Sequence, residues 1–198
     1  MTEVDIQIFR FLHQTFSGAW LWPMAVLSAI GGGWGSVTVI PLLASTRTRR
    51  FALSLAAVLG VTAVLVFALK RIVARVRPCG CLEDVKALVF DAPTDFSFPS
   101  GHSAGSFAFA VFIAVVLVTA TPVQASARER WLRRGAAALL VALAVSVGLS
   151  RIALGVHFPG DVLAGAIIGS TVASMGARLH LRAPAEREQA KPRLPDEV

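Results

Sequence analysis

Residues 51–69 read FALSLAAVLGVTAVLVFAL, an apolar or small run without a charge that ends on Lys70. An α-helix rises about 1.5 Å per residue, so a run of this length reaches nearly across the roughly 30 Å hydrocarbon core of a bilayer. Runs of the same character lie at about 103–121, 135–153 and 160–179. Trp20, Trp22 and Pro23 open one more, reaching about Ser45, with the tryptophans at the membrane interface. The pattern predicts an all-α fold, a polytopic membrane helix bundle of about five transmembrane helices. Gly31-Gly32-Gly33-Trp34-Gly35 falls near the middle of the first segment and predicts close helix contact or a local kink. Gly165, Gly169 and Ala173, four residues apart, give the last segment a small-residue packing face.

The whole chain agrees with this reading. Its 198 residues are 55% hydrophobic and 16% charged, with a mean hydropathy of +0.68. A net charge of +7 would suggest nucleic acid in a soluble protein. Here the loops at 46–50 and 122–134 and the C-terminal tail, counting Arg178 just before it, hold twelve of the nineteen Lys and Arg residues. By the positive-inside rule those segments are cytoplasmic, so no nucleic-acid partner is expected. The expected setting is the cell membrane, with the C-terminus cytoplasmic and the N-terminus on the opposite face. Residues 2–16, TEVDIQIFRFLHQTF, carry Ile6, Phe9, Leu12 and Phe16 at helical spacing, with Thr2 or Asp5 as a cap. They predict an amphipathic helix lying at the membrane surface, and packing on the bundle rim would give the same pattern. The start of the chain has no basic region followed by an apolar core, so no cleavable signal is expected. The expected division is an interfacial helix at 1–19, a membrane domain at 20–180 and a disordered tail at 181–198 with Pro184, Pro192 and Pro195. Cys79 and Cys81 are too close for an unstrained bridge and too few for a structural zinc.

Three polar segments sit at the ends of the apolar runs. In the first, Lys70 and Arg77 are seven residues apart; if the helix continued, they would share one face, with Pro78 ending it. They combine a point cation with a planar, bidentate one, a pair suited to an anion and equally able to reach lipid headgroups. In the second, Phe98-Pro99-Ser100-Gly101-His102-Ser103, Ser100 caps the next helix. That leaves the N–H groups of Gly101 and His102 in a helix start that favours anions. In the third, Arg151 is a costly charge at the end of an apolar run. His157 follows, Phe158 is extended before Pro159, and Asp161 falls in the first turn of the last helix, four residues from His157. Such a carboxylate fixes one imidazole tautomer and leaves the other nitrogen as a nucleophile.

Taken together, these segments resemble the signature of the type 2 phosphatidic acid phosphatase superfamily. Lys70 with Arg77-Pro78 matches K-x6-RP, Pro99 to His102 matches PSGH, and Ser150, Arg151, His157 and Asp161 match SR-x5-H-x3-D. The resemblance covers roughly residues 50–180. It implies that His157 forms a phosphohistidine, Asp161 orients it, and His102 protonates the leaving oxygen and then helps activate water. Lys70, Arg77, Arg151, Ser100 and the N–H of Gly101 would hold the phosphoryl oxygens. It implies no metal and no cofactor, and the sequence lacks the carboxylate cluster that magnesium prefers. The implied substrate is a membrane lipid carrying a phosphate or diphosphate: undecaprenyl diphosphate, phosphatidylglycerol phosphate or phosphatidic acid, met on the outer face. A lipid phosphotransferase or a lipid-phosphate transporter would use the same pocket, as would a vanadium haloperoxidase.

Overall fold

The computed structural model describes residues 2–16, 18–33 and 37–189, which form helices and loops without a strand. The helices are α1 (Glu3–Phe16), α2 (Leu21–Gly31), α3 (Val39–Ala44), α4 (Arg49–Val73), α5 (Pro78–Cys81), α6 (Gly101–Thr119), α7 (Ala127–Ala153) and α8 (Pro159–Gln189). Four helices are long and apolar enough to cross a membrane: α4, α6, α7 and α8, the last as far as Arg182. Their outward faces present Val61, Val64, Phe67, Leu139, Ile167 and Leu179, all exposed in the bare protein. In a bilayer such side chains meet acyl chains.

The first apolar segment is not one continuous span. α2 has 11 residues and α3 has 6. The helix stops where Gly32 N–H donates to Ala29 O at 3.0 Å and Gly33 takes a φ of +101°. Trp34 and Gly35 lie outside the described residues. Both sequence expectations for the glycine run hold: the chain breaks there, and a Cβ on Gly31 would collide with Val147 of α7.

At the centre, α6 packs on α8. Apolar side chains gain little from leaving lipid for protein, so close contact has to hold such helices together. A Cβ on Gly165 would lie 2.5 Å from Ser100 O, and one on Gly169 would strike Ala104 O. Ala173 and Ala177 continue the face, fully buried in a core with Leu55, Val58 and Phe112. The starts of α6 and α8 lie side by side, since Ser100 N–H donates to Asp161 O at 3.0 Å. The ends of α4 and α7 reach the same place.

Three expectations are corrected. α4 does not carry Lys70 and Arg77 on one face, because it ends at Val73. Ala74 takes the left-handed conformation and caps the helix through its N–H to Lys70 O at 3.0 Å. The chain is then extended through Arg77, and Pro78 opens α5 instead of following a helix end. The basic segment at 122–134 is mostly helix: Ser126 caps α7, and Arg128, Arg130, Arg133 and Arg134 lie in its first turns. α8 extends to Gln189, into the expected tail, while 190–198 lie outside the described residues. At the other terminus α1 is docked on the bundle. Thr2 caps it, Phe9 is fully buried against Phe158, and His13 Nδ1 donates to Ala153 O at 2.8 Å.

Candidate active site

Where these helix ends meet, a short turn delivers His157. α7 ends at Ala153, and Gly155 turns the chain with a φ of +77°. A Cβ there would sit 2.6 Å from Lys86 O, so both the dihedral and the space call for glycine. The N–H groups of Val156 and His157 then donate to Arg151 O, and Pro159 starts α8.

His157 is only 2% exposed. Arg77 NH1 donates to its Nε2 at 3.0 Å. A guanidinium only donates, so Nε2 holds the lone pair and the proton is on Nδ1. Nδ1 faces Asp161 Oδ2 at 3.6 Å and Ser97 Oγ at 3.4 Å. Ser97 in turn donates to Asp161 Oδ2 at 2.5 Å, so the hydroxyl bridges imidazole and carboxylate. Asp161 also accepts the Phe158 N–H at 2.9 Å and Arg75 NH1 at 2.7 Å. Burial pushes the His157 pKa well below its ordinary 6.5, and the nearby arginines act in the same direction. The side chain is therefore neutral, with its Nε2 lone pair turned toward the Arg77 guanidinium.

Those cations already hold an anion. Lys70 Nζ lies 3.0 Å from Asp95 Oδ2, and Arg77 NH2 donates to Asp95 Oδ1 at 2.6 Å. Burial alone would raise the Asp95 pKa, but hydrogen bonds from Lys70 and Arg77 outweigh it and hold the carboxyl below its ordinary value. Lys70 and Arg77 thus converge as the sequence led one to expect, by a helix end and a turn instead of a shared face.

Arg151 approaches from α7, 6% exposed. Its NH1 donates to Ser28 Oγ on α2, while its Nε is the one buried side-chain polar atom without a partner among the described residues. A buried, unmatched donor is costly, and a bound oxyanion would satisfy it. Ser100 caps α6 as expected, its Oγ accepting Ser103 N–H at 3.4 Å, and Gly101 is the helix's first residue. His102, one residue on, interacts with the charges of Arg151, Arg77 and Lys70. It also borders a cavity of about 500 Å³ walled by Ile30, Leu59, Phe109, Leu143 and Val147. The broken first span closes on this point: a Cβ at Gly32 would come 3.4 Å from His102 Nε2.

All eight residues singled out in the sequence therefore gather at one end of the bundle. Sequence reasoning missed five others there: Asp5, Ser28, Arg75, Asp95 and Ser97. Arg75 lay inside a segment already marked by Lys70 and Arg77 and gave a signal that went unread. Asp5 and Phe9 are four apart on α1, which puts a carboxylate on the docked face. Among the described residues no group of three or more His, Cys, Asp or Glu is arranged to hold a metal.

Known proteins are similar to this chain in sequence and fold. The chain is 28% identical to the lipid A 4'-phosphatase of Bacteroides thetaiotaomicron, over 85% of this chain and 73% of that one. It is 28% identical to the undecaprenyl-diphosphatase of Sulfolobus acidocaldarius, over 92% of this chain and 82% of that one. The crystal structure of a transmembrane PAP2-type phosphatidylglycerolphosphate phosphatase from Bacillus subtilis superposes with a TM-score of 0.70 at 26% identity, covering 95% of this chain and 86% of that one. The sequence model of one family matches residues 51–184, the stretch that supplies every motif residue from Lys70 to Asp161, and by that match the chain belongs to the PAP2 superfamily.

Proposed function

We propose that this membrane phosphatase hydrolyses a phosphate monoester or diphosphate of a lipid through a phosphohistidine on His157. One observation carries the reading. The Arg77 guanidinium touches an oxyanion, Asp95 Oδ1 at 2.6 Å, and the His157 lone pair, Nε2 at 3.0 Å, at once. A phosphoryl oxygen in place of that carboxylate would set its phosphorus within reach of Nε2.

In the first step Nε2 attacks phosphorus and the bond to the leaving oxygen breaks. The electron pair goes to that oxygen, which takes a proton from His102. Nδ1–H stays on the ring, and Asp161, directly and through Ser97, stabilises the positive charge that develops there. In the second step water attacks the phosphohistidine, His102 removes its proton, and phosphate leaves with His157 restored. Lys70, Arg77, Arg151 with its unmatched Nε, the Ser100 hydroxyl and the Gly101 N–H bind the equatorial oxygens, where charge spreads in the transition state.

The cavity beside His102 supports a lipid substrate, since its walls suit an acyl or prenyl chain leading from the phosphate. Relatives that share the fold act on different headgroups by name, so the common core leaves the headgroup to the surrounding loops. Undecaprenyl diphosphate and phosphatidylglycerol phosphate lead, with phosphatidic acid behind them. The basic residues near 46–50, at the start of α7 and at the end of α8 favour a cytoplasmic location for the far end, and hence an extracytoplasmic site.

The test is phosphate release by the purified full-length protein in detergent, with chelator present. Undecaprenyl diphosphate, phosphatidylglycerol phosphate and phosphatidic acid are offered in parallel, with His157→Ala as control. His157-dependent release is expected, and the relative rates rank the substrates. No release from any of the three by folded protein would favour a phosphotransferase or a transporter.

A further inference from the structure

Asp5 belongs to no motif and lies far in sequence from the site, yet its carboxylate reaches it. Oδ2 lies 2.5 Å from Arg75 NH2, and Oδ1 accepts the Gly160 N–H at 2.9 Å. The other arm of the same guanidinium, NH1, donates to Asp161 Oδ1 at 2.7 Å. The Arg75 plane rests 4.2 Å above the Phe158 ring. We propose that Asp5 is a positioning residue for the His157–Asp161 pair, acting through Arg75, so that the N-terminal helix completes the active site.

The geometry gives Arg75 two carboxylates on two nitrogens and a ring beneath. A planar fork held at three points is fixed in place. Fixed in this way, it occupies Asp161 Oδ1 and leaves Oδ2 for Ser97, the Phe158 N–H and His157. The charges also balance. Arg75 beside Asp161 alone would cancel the carboxylate that must stabilise a positively charged His157 ring. Asp5 offsets that cation, and Asp161 keeps its negative field. Burial makes the effect strong, because the Asp5, Arg75 and Asp161 side chains are 14%, 18% and 0% exposed.

Docking of α1 does not explain these contacts. Phe9 and His13 already anchor the helix to Phe158 and Ala153. The other ion pair of α1, Arg10 with Asp84, is a rim contact with side chains 48% and 59% exposed and no link to the site.

The inference rests on the phosphatase reading, and the experiment separates the two. The full-length protein is assayed in detergent on whichever of the three lipids the wild type cleaves. Asp5→Asn keeps the shape and an acceptor for Gly160 N–H but removes the charge. It is expected to lower kcat about tenfold to a hundredfold, as small displacements in a site do. KM should stay within about threefold, because the phosphate-binding cations are untouched. Asp5→Glu should recover much of the loss. In an Arg75→Ala background, Asp5→Asn should cost less than about twofold more, since the route is already cut. Phe9→Ala, which weakens docking alone, should lower Tm with a smaller fall in kcat. Unchanged kcat in folded Asp5→Asn, losses that multiply with Arg75→Ala, or a kcat that merely follows Tm across both variants would overturn the role. A second readout needs no turnover: the His157 ring 15N shifts in empty protein should move in Asp5→Asn, and identical spectra would refute the coupling. A wild type inactive on all three lipids would instead refute the phosphatase reading, with the spectra still deciding the coupling.

Discussion

At one end of the bundle His157 sits with Arg77 and Ser97, and at the other His180 sits with Arg50 and Ser54. The residue types are the same, and each end has a cavity of similar size, about 500 Å³ bordered by His102 and about 520 Å³ bordered by His180. The partners differ. Arg50 NH2 donates to the backbone carbonyl of His180, and His180 Nδ1 pairs with Ser54 Oγ at 2.9 Å. The His180 ring packs against Phe51 and Phe112, with centroids 5.9 Å away in each case. At the His157 end a carboxylate backs the imidazole, a guanidinium faces its lone pair, and the cations hold the carboxylate of Asp95 from a loop. A histidine beside an arginine is therefore not a site. What sets the His157 end apart is an imidazole whose tautomer its partners fix, next to donors that hold a half-exposed carboxylate.

The largest break of this contrast is His157→Ala. It removes the atom proposed to bond phosphorus, so turnover should fall by about 10⁴-fold or more. The check is phosphate release at matched circular dichroism, and substantial residual turnover would remove the assigned role. Arg151→Ala comes next. Its Nε has no partner among the described residues, which fits the proposed contact to a phosphoryl oxygen. Loss of a donor aimed at the transition state costs about 10²- to 10³-fold in kcat, and near-wild-type kinetics would contradict that aim.

How much of this was legible follows the same division. The motif residues and the α6–α8 packing face were readable, because spacing along a helix or turn fixes their geometry. Gly165 and Gly169 lie where a Cβ would strike the backbone of α6, and their four-residue spacing said so. Lys70 and Arg77 were found by type, but the way they meet was misread. The left-handed Ala74 that ends α4 carries no glycine or asparagine to announce it. Asp5, Ser28 and Asp95 were not legible as site residues, because each reaches the site by tertiary packing from a distant segment. Asp5 was read as a possible cap, although its carboxylate serves Arg75 and Gly160.

Asp95→Asn sharpens the contrast from the binding side. In the proposed reaction a phosphate takes the place of the Asp95 carboxylate, whose side chain is 57% exposed. An amide holds Lys70 and Arg77 less firmly than a carboxylate, and inorganic phosphate should inhibit the variant roughly three- to tenfold more tightly. The sign with pH follows from the depressed carboxyl. Asp95 stays charged throughout pH 5–9, so the ratio of inhibition constants between wild type and variant should be flat over that window. A ratio that closes as pH falls toward 5 would mean Asp95 titrates there and is not held by the cations. Equal inhibition at every pH would mean that phosphate does not displace it.

The smallest effect belongs to the other end. His180→Ala removes a ring packed between Phe51 and Phe112 and the partner of Ser54 Oγ, while the Arg50 contact to the backbone carbonyl remains available. The loss is one of packing and a hydrogen bond, about 1–2 kcal/mol of stability, read as a lower Tm in detergent. Turnover on the best lipid should stay within about twofold, because no group at this end reaches Nε2 of His157 and the two ends share only the helices between them. A fall of tenfold or more in kcat with Tm preserved would show that the far end takes part in the reaction cycle, and that its likeness to the His157 end is functional after all.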